Sequence, residues 1–150
     1  MGFESIIEDI KSLKIQGAES VALSSLDALE DFLKHTKATT TNFLFEKINH
    51  TIEVLKNTRP TEPFMGNVLT FCVKDVNGKS VSEIEKNILS KISFVRNKIE
   101  KDKNNIAKIG ANKIRNGMVV FTHCHSSTVT SILIEAKNQG KDFVVYNTET

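Results

Sequence analysis

The sequence predicts an α+α/β protein: an N-terminal helical domain over residues 1–116, then, over 117–150, the first βαβ unit of an incomplete parallel α/β domain. Three observations carry this expectation. Apolar residues recur at three- and four-residue spacing through the first two-thirds of the chain. At Asn116-Gly117 that period gives way to two short, nearly all-apolar runs, Met118–Thr122 and Phe143–Tyr146. Between the runs lies a single amphipathic stretch of helical period.

The first helix is expected where Phe3, Ile6, Ile7, Ile10 and Leu13 form a stripe opposite Glu4, Glu8, Asp9 and Lys11, and it stops at Gln16-Gly17. A second runs from about Glu19 to His35, burying Val21, Ala22, Leu26, Leu29, Phe32 and Leu33. Thr39-Thr40-Thr41 offers an N-cap for a third, with Phe43, Leu44, Ile48, Ile52 and Leu55 on its apolar face. Pro60 and Pro63 close it, because the residue before a proline is pushed out of the helical region. Phe64 to Val73 predicts a short fourth helix containing Cys72 in the core. After the Asn77-Gly78 turn, Ser80-Val81-Ser82-Glu83 has capping-box spacing. It opens a long helix to about Ile114, or two helices broken near Lys103. The apolar composition of Met118–Thr122 and Phe143–Tyr146 predicts strands buried on both faces of a parallel sheet. Thr128 to Asn138 supplies the crossover helix, with Val129, Ile132, Leu133 and Ala136 inward and Gly140 as its stop. Strand, crossover helix and parallel strand together are the opening of a truncated Rossmann-like domain, since two strands alone lack neighbours and cover.

Charge and composition narrow the function classes. Lys and Arg number 20 against 18 Asp and Glu, a net charge of +2 that gives no argument for direct nucleic-acid binding. The basic stretch Lys98–Lys103 is broken by Glu100 and Asp102 and reads as a solvated helix face. No apolar run reaches the ~18 residues that span a bilayer, and the acidic N-terminus is unlike a secretory signal. Two cysteines without a Cys-x-x-Cys pair fit a reduced compartment, so the expectation is cytoplasmic with no membrane partner.

In open α/β sheets, ligands bind where strand ends lead into helix N-termini. Thr122-His123-Cys124-His125-Ser126-Ser127-Thr128 occupies that position after the first strand. A helix N-terminus suits a phosphate and favours a nearby thiolate, and Ser126, Ser127 and Thr128 add hydroxyl donors. A thiol beside such a cradle fits proton abstraction from a sugar phosphate. Cys124 as a small apolar residue beside a capped helix is the alternative from pattern alone. His123 and His125 flank Cys124, but adjacent residues diverge and no downstream ligand cluster follows, so no metal is expected. Arg59, framed by prolines, could clamp a phosphate, or could be solvated. The turn at Gln16-Gly17-Ala18 could bring N–H groups to a ligand, or could simply join two helices.

Four segments, in order, carry a resemblance: Ile15-Gln16-Gly17-Ala18, Thr58-Arg59-Pro60-Thr61, Thr122-His123-Cys124-His125-Ser126 and Thr148-Glu149-Thr150. They resemble successive signatures of archaeal ribose-1,5-bisphosphate isomerases, within the translation initiation factor 2B alpha/beta/delta superfamily. The Thr-His-Cys-His-Ser segment is the most specific of them. The resemblance implies that a helical domain precedes a Rossmann-like domain, with the active site between them. It implies that Cys124 is catalytic and that Gln16, Gly17, Ala18, Glu19, Arg59, Ser126, Ser127 and Thr128 contact the sugar bisphosphate. The implied reaction is aldose–ketose isomerisation of ribose 1,5-bisphosphate to ribulose 1,5-bisphosphate in nucleoside monophosphate salvage. It implies no cofactor, assembly into a homo-oligomer, and a catalytic aspartate beyond residue 150, so that residues 1–150 are an inactive N-terminal fragment. The chain departs from the family at Gln16, where Arg is usual, and at Ser127-Thr128, where small or basic residues are usual. The alternative it leaves is an initiation factor 2B-like regulatory subunit that binds a nucleotide or sugar phosphate.

Overall fold

In the computed structural model, which describes residues 2–124 and 126–148, helices α1 (Phe3–Lys11), α2 (Ala18–His35), α3 (Thr41–Lys56), α4 (Pro63–Val73) and α5 (Val81–Ala111) precede strand β1 (Met118–His123), helix α6 (Ser127–Asn138) and strand β2 (Phe143–Thr148). The chain packs as two units, residues 1–96 and 97–150, and the division falls inside α5. The change from helix to strand period falls twenty residues later, at Asn116-Gly117.

In the first unit α1 packs on α2, while α2, α3 and α4 pack on one another. The spacing of apolar residues explains which faces meet. Ile6, Ile7 and Ile10 of α1, Val21, Leu26 and Leu29 of α2, Leu44, Ile48 and Leu55 of α3, Met65 and Leu69 of α4, and Ile84, Ile88 and Ile92 of α5 are all buried. Leu13 departs from its expected place on the α1 stripe. Its φ of 60° ends the helix first, and the side chain is 50% exposed. Phe43 also leaves the expected core: it is exposed in the first turn of α3, with the Lys47 ammonium 5.3 Å from its ring centroid.

The helix starts follow local chemistry. Thr40 Oγ1 accepts from the Phe43 N–H at 3.3 Å, satisfying one of the helix's first donors. At α5, Ser80 Oγ accepts from the Glu83 N–H at 3.2 Å. The Glu83 carboxylate reaches back one residue further than a capping box requires, to the Lys79 N–H at 2.8 Å. Arg96 ties α5 to α2 through Asp27 at 2.6 Å and Glu30 at 3.5 Å.

In the second unit, β1 and β2 are parallel neighbours in the register Met118↔Phe143 through His123↔Thr148, and α6 is the crossover between them. The strand starts are pinned together. The Gly117 N–H donates to the Asp142 carbonyl at 2.8 Å, and the Asp142 N–H donates to Asn116 Oδ1 at 2.8 Å. Gly117 and Gly140, both at φ 77°, make the turns into β1 and out of α6 in a region that a Cβ disfavours. Ala111, Ile114 and Ala136 form a small core, joined by Val120, Ile132, Leu133 and Phe143.

The expectation of strands buried on both faces is not met within these residues. Val119 and Phe121 of β1 and Val144 and Tyr146 of β2 point to one face and are 66%, 71%, 53% and 61% exposed. The reason is geometric: period-2 alternation sends Val120 toward α5 and α6, and no described element covers the opposite face.

Candidate functional site

The parallel pairing of β1 and β2 brings their carboxyl ends to one edge, where β1 leads into α6. Thr122 and Asn147 are register partners there, and His123 Nδ1 lies 2.6 Å from Thr148 Oγ1. Ser126 caps α6, its Oγ accepting from the Val129 N–H at 3.4 Å. The first N–H groups of a helix have no partner within it, so this turn presents donors and a partial positive charge.

Cys124 stands between the end of β1 and that cap. It is exposed, and its φ of 65° puts it in the left-handed region, where residues with a Cβ are strained by about 1–2 kcal/mol. Strain of this kind clusters at functional sites, though in this chain it also marks a helix end, at Leu13. Cys124, Ser126 and Ser127 line one cavity of about 560 Å³ together with Thr122, Asn147 and Lys103, a volume within the range of small-molecule sites. Thr128 is half-buried in the first turn of α6 and is not among the described lining residues. His125 and the final Glu149-Thr150 of the sequence motifs lie outside the described residues.

Lys103 is the member that sequence reasoning missed. The expected solvated face holds for Lys98, paired with Asp102 at 2.8 Å, and for exposed Lys101, but Lys103 turns inward and is half-buried. Its signal was available: Lys103 lies four residues before Ala107 and eight before Ala111, on the stripe that packs inward.

The remaining candidates lie in the first unit. Arg59 lines a cavity of about 380 Å³ with Lys56, Asn57, Glu62 and Asn67. Its Nη1 is buried and has no hydrogen-bond partner among the described residues, an arrangement that an anionic acceptor would complete. Gln16 is exposed and donates from Nε2 to the Leu13 carbonyl at 2.7 Å. Gly17, at φ 82°, is the N-cap of α2, with Ala18 and Glu19 in the first turn. Gln16 to Glu19 are not among the residues lining the Arg59 cavity.

The other cysteine behaves as the sequence suggests. Cys72 is fully buried, and burial pushes its thiol up to about 11 against the opposing charges of Lys91 and Arg96. Among the described residues no three His, Cys, Asp or Glu side chains cluster to hold a metal ion, and no helix is long and apolar enough to cross a membrane.

A mostly helical chain with a small two-stranded parallel βαβ unit, and a cysteine and a hydroxyl-rich turn at its strand ends, is the class of fold these residues define. The chain belongs to the initiation factor 2 subunit family, whose model matches residues 14–150. It is 32% identical to the ribose 1,5-bisphosphate isomerase of Pyrococcus furiosus over 151 residues, covering 97% of this chain and 46% of that protein. It is 34% identical over 122 residues to the translation initiation factor eIF2B subunit delta of Schizosaccharomyces pombe, covering 78% of this chain and 26% of that one. The chain thus spans about half the length, or less, of these curated relatives.

Solved structures agree on the fold. The eIF2B delta of Chaetomium thermophilum matches with a TM-score of 0.82 at 22% identity, over 97% of this chain and 57% of that one. A chain of the tetrameric eIF2B-beta2-delta2 complex from the same organism matches at 0.78 and 21%, over 97% and 50%. The 5-methylthioribose 1-phosphate isomerase of Pyrococcus horikoshii matches at 0.73 and 18%, over 97% and 52%.

Proposed function

We propose that this chain is the N-terminal part of a cytoplasmic aldose–ketose isomerase that converts ribose 1,5-bisphosphate to ribulose 1,5-bisphosphate, with residues 117–150 opening a Rossmann-like domain. The observation that carries the reading is Cys124: a strained, exposed thiol in a cavity at the start of α6, within a chain similar to archaeal ribose 1,5-bisphosphate isomerases over nearly its whole length. The reaction moves one hydrogen from C2 to C1, opens the C1–O4 ring bond and transfers the O2 hydroxyl proton to O4. It needs no external oxidant and no redox cofactor. It does need two groups in reach of adjacent carbons, one to take a proton and one to give it. Cys124 is assigned the first role, and a carboxylate outside these 150 residues the second. In this reading Ser126, Ser127, Thr128, Arg59 and the Gln16–Glu19 turn hold the phosphates, and the complete protein forms a homo-oligomer.

The second reading is an initiation factor 2B-like regulatory subunit that binds a nucleotide or sugar phosphate. Two observations favour it: the similarity to eIF2B subunit delta and the neutral Gln16 in the first ligand turn.

Ketose formation from ribose 1,5-bisphosphate decides between them. It is measured on the protein extended to the length of its relatives, on its Cys124→Ser variant and on residues 1–150 alone. Turnover is expected from the first only. Serine keeps the shape but is far less acidic, so the variant should lose most turnover while still binding substrate. Near-normal turnover by Cys124→Ser removes the cysteine from the chemistry. Binding without turnover of any pentose phosphate by the extended wild type establishes the regulatory reading.

A further inference from the structure

The dipeptide Asn-Gly occurs twice in the chain, at Asn77-Gly78 in the turn between α4 and α5 and at Asn116-Gly117 before β1. Both asparagines are exposed to solvent. Asparagine followed by glycine is set up for a reaction within the chain. The glycine amide nitrogen can swing onto the asparagine Cγ, and no glycine side chain shields it.

The two pairs differ in how their reacting atoms are held. Asn116 Oδ1 accepts from the Asp142 N–H, and the Gly117 N–H donates to the Asp142 carbonyl, each at 2.8 Å. The Gly117 nitrogen cannot reach Cγ until both bonds open. At Asn77 the described bond is instead on the backbone carbonyl, which accepts from Asn87 Nδ2 at 2.9 Å. Among the described residues, neither the Asn77 carboxamide nor the Gly78 N–H has a hydrogen-bond partner. Packing accounts for glycine at this reactive position: a Cβ on Gly78 would lie 2.8 Å from Ile84 Cγ1 and 3.1 Å from the Ile84 amide nitrogen.

We propose that Asn77-Gly78 is a self-modification site of the folded protein, converting to isoaspartate and aspartate, while Asn116-Gly117 is protected by Asp142. The Gly78 nitrogen gives its proton to solvent base and bonds to Asn77 Cγ. The Cγ–Nδ2 bond breaks, and the amide leaves as ammonia after taking a proton from solvent. The cyclic imide so formed then takes up one water. Cleavage at the former backbone carbonyl gives isoaspartate, with the chain running through Cγ, and cleavage at Cγ gives aspartate. Neither step changes an oxidation state. In the isoaspartate form the carbonyl that now accepts from Asn87 becomes a free carboxylate, and the backbone gains a methylene just ahead of the Ser80 cap of α5.

The test ages the 150-residue chain in mildly alkaline buffer, folded and in urea, followed by brief digestion with trypsin. Cleavage after Lys74 and Lys79 frees residues 75–79, and cleavage after Arg115 and Lys137 frees residues 116–137. Mass spectrometry thus reads each Asn-Gly pair separately through the gain in mass as amide becomes acid, and chromatography separates isoaspartate from aspartate. In the folded chain Asn77 should convert at least about tenfold faster than Asn116, where two hydrogen bonds must open first. In urea that protection is lost, and the two rates should come within about threefold of each other. Equal rates in the folded chain, or faster conversion at Asn116, overturn the proposal. A difference that persists undiminished in urea also overturns it, because it would then belong to the neighbouring sequence and not to Asp142. Conversion of Asn77 in urea but none in the folded chain removes the site.

Discussion

Replacing Gly110 by alanine sets two effects of known sign against each other. Alanine in place of glycine inside a helix gains about 1 kcal/mol from backbone entropy. The new Cβ would lie 2.7 Å from Cγ1 and Cδ1 and 2.9 Å from Cγ2 of Ile132, where carbon atoms prefer about 3.5–4.0 Å. Ile132 is β-branched and stiff at χ1, and it packs against Ala111, Ile114 and Ala136, so it cannot yield by a simple rotamer change. Overpacking of this kind costs about 1–3 kcal/mol, and with a middle value near 2 the net result is a loss of about 1 kcal/mol. In an Ile132→Ala background all three clashing atoms are gone. There the same Gly110→Ala change should stabilise by about 1 kcal/mol, a coupling of about 2 kcal/mol across the double-mutant cycle. Urea unfolding measures all four proteins. Tyr146, the sole tyrosine in a chain without tryptophan, reports fluorescence from β2 alone, and circular dichroism follows the helices. A Gly110→Ala variant more stable than wild type would refute the close α5–α6 packing.

Two further outcomes follow from the titrating groups. At pH 8 iodoacetamide should alkylate exposed Cys124 in the native chain and spare Cys72, whose thiol burial raises toward 11; Cys72 should react only in urea, and equal native labelling of both by mass spectrometry contradicts its burial. The hydrogen bond from Lys34 holds the Glu30 carboxyl below its ordinary 4.5, with the charges of Lys34 and Arg96 adding to it against the opposing effect of burial. Because the folded value is depressed, Glu30 stabilises the fold above pH 4.5 and loses that contribution as pH falls through the folded value. Acid unfolding should therefore be shallower in Glu30→Gln than in wild type, and identical acid limbs would deny the coupling.

The helices were legible because their signals are local. Thr40 and Ser80 cap where the sequence places them, Glu83 reaches back one residue further than its capping box predicts, and the isoleucine stripe of α5 runs without the break considered near Lys103. The parallel βαβ order was legible from two apolar runs flanking one amphipathic segment. Burial was less so. An apolar run such as Met118–Thr122 states what could be covered on both faces, not what covers it, and Val119 and Phe121 stand exposed here. Leu13 fits the helical period but lies past the point where its own left-handed φ ends α1, a choice that periodicity does not encode. Among site residues, the turn at Cys124, Ser126 and Ser127 came from chain order alone. Lys103 was hidden because an alternating charge run looks solvated until its phase is compared with Ala107 and Ala111. The placement of Arg59 beside a cavity was legible only as a proline-framed loop, since its buried nitrogen is a property of the packing around it.

The left-handed backbone at Cys124 has a consequence for how this position can drift over generations. A thiol there costs the fold about 1–2 kcal/mol that glycine would not, whatever chemistry the thiol performs. A lineage with no use for the thiol would gain stability by the single step Cys124→Gly, and asparagine would recover part of it. Alanine or serine would recover none, because their Cβ meets the same obstruction. If the thiol performs the proposed chemistry, cysteine at this position is held by use rather than by inertia, and the residue found there in any descendant would read as a record of whether the thiol is still needed.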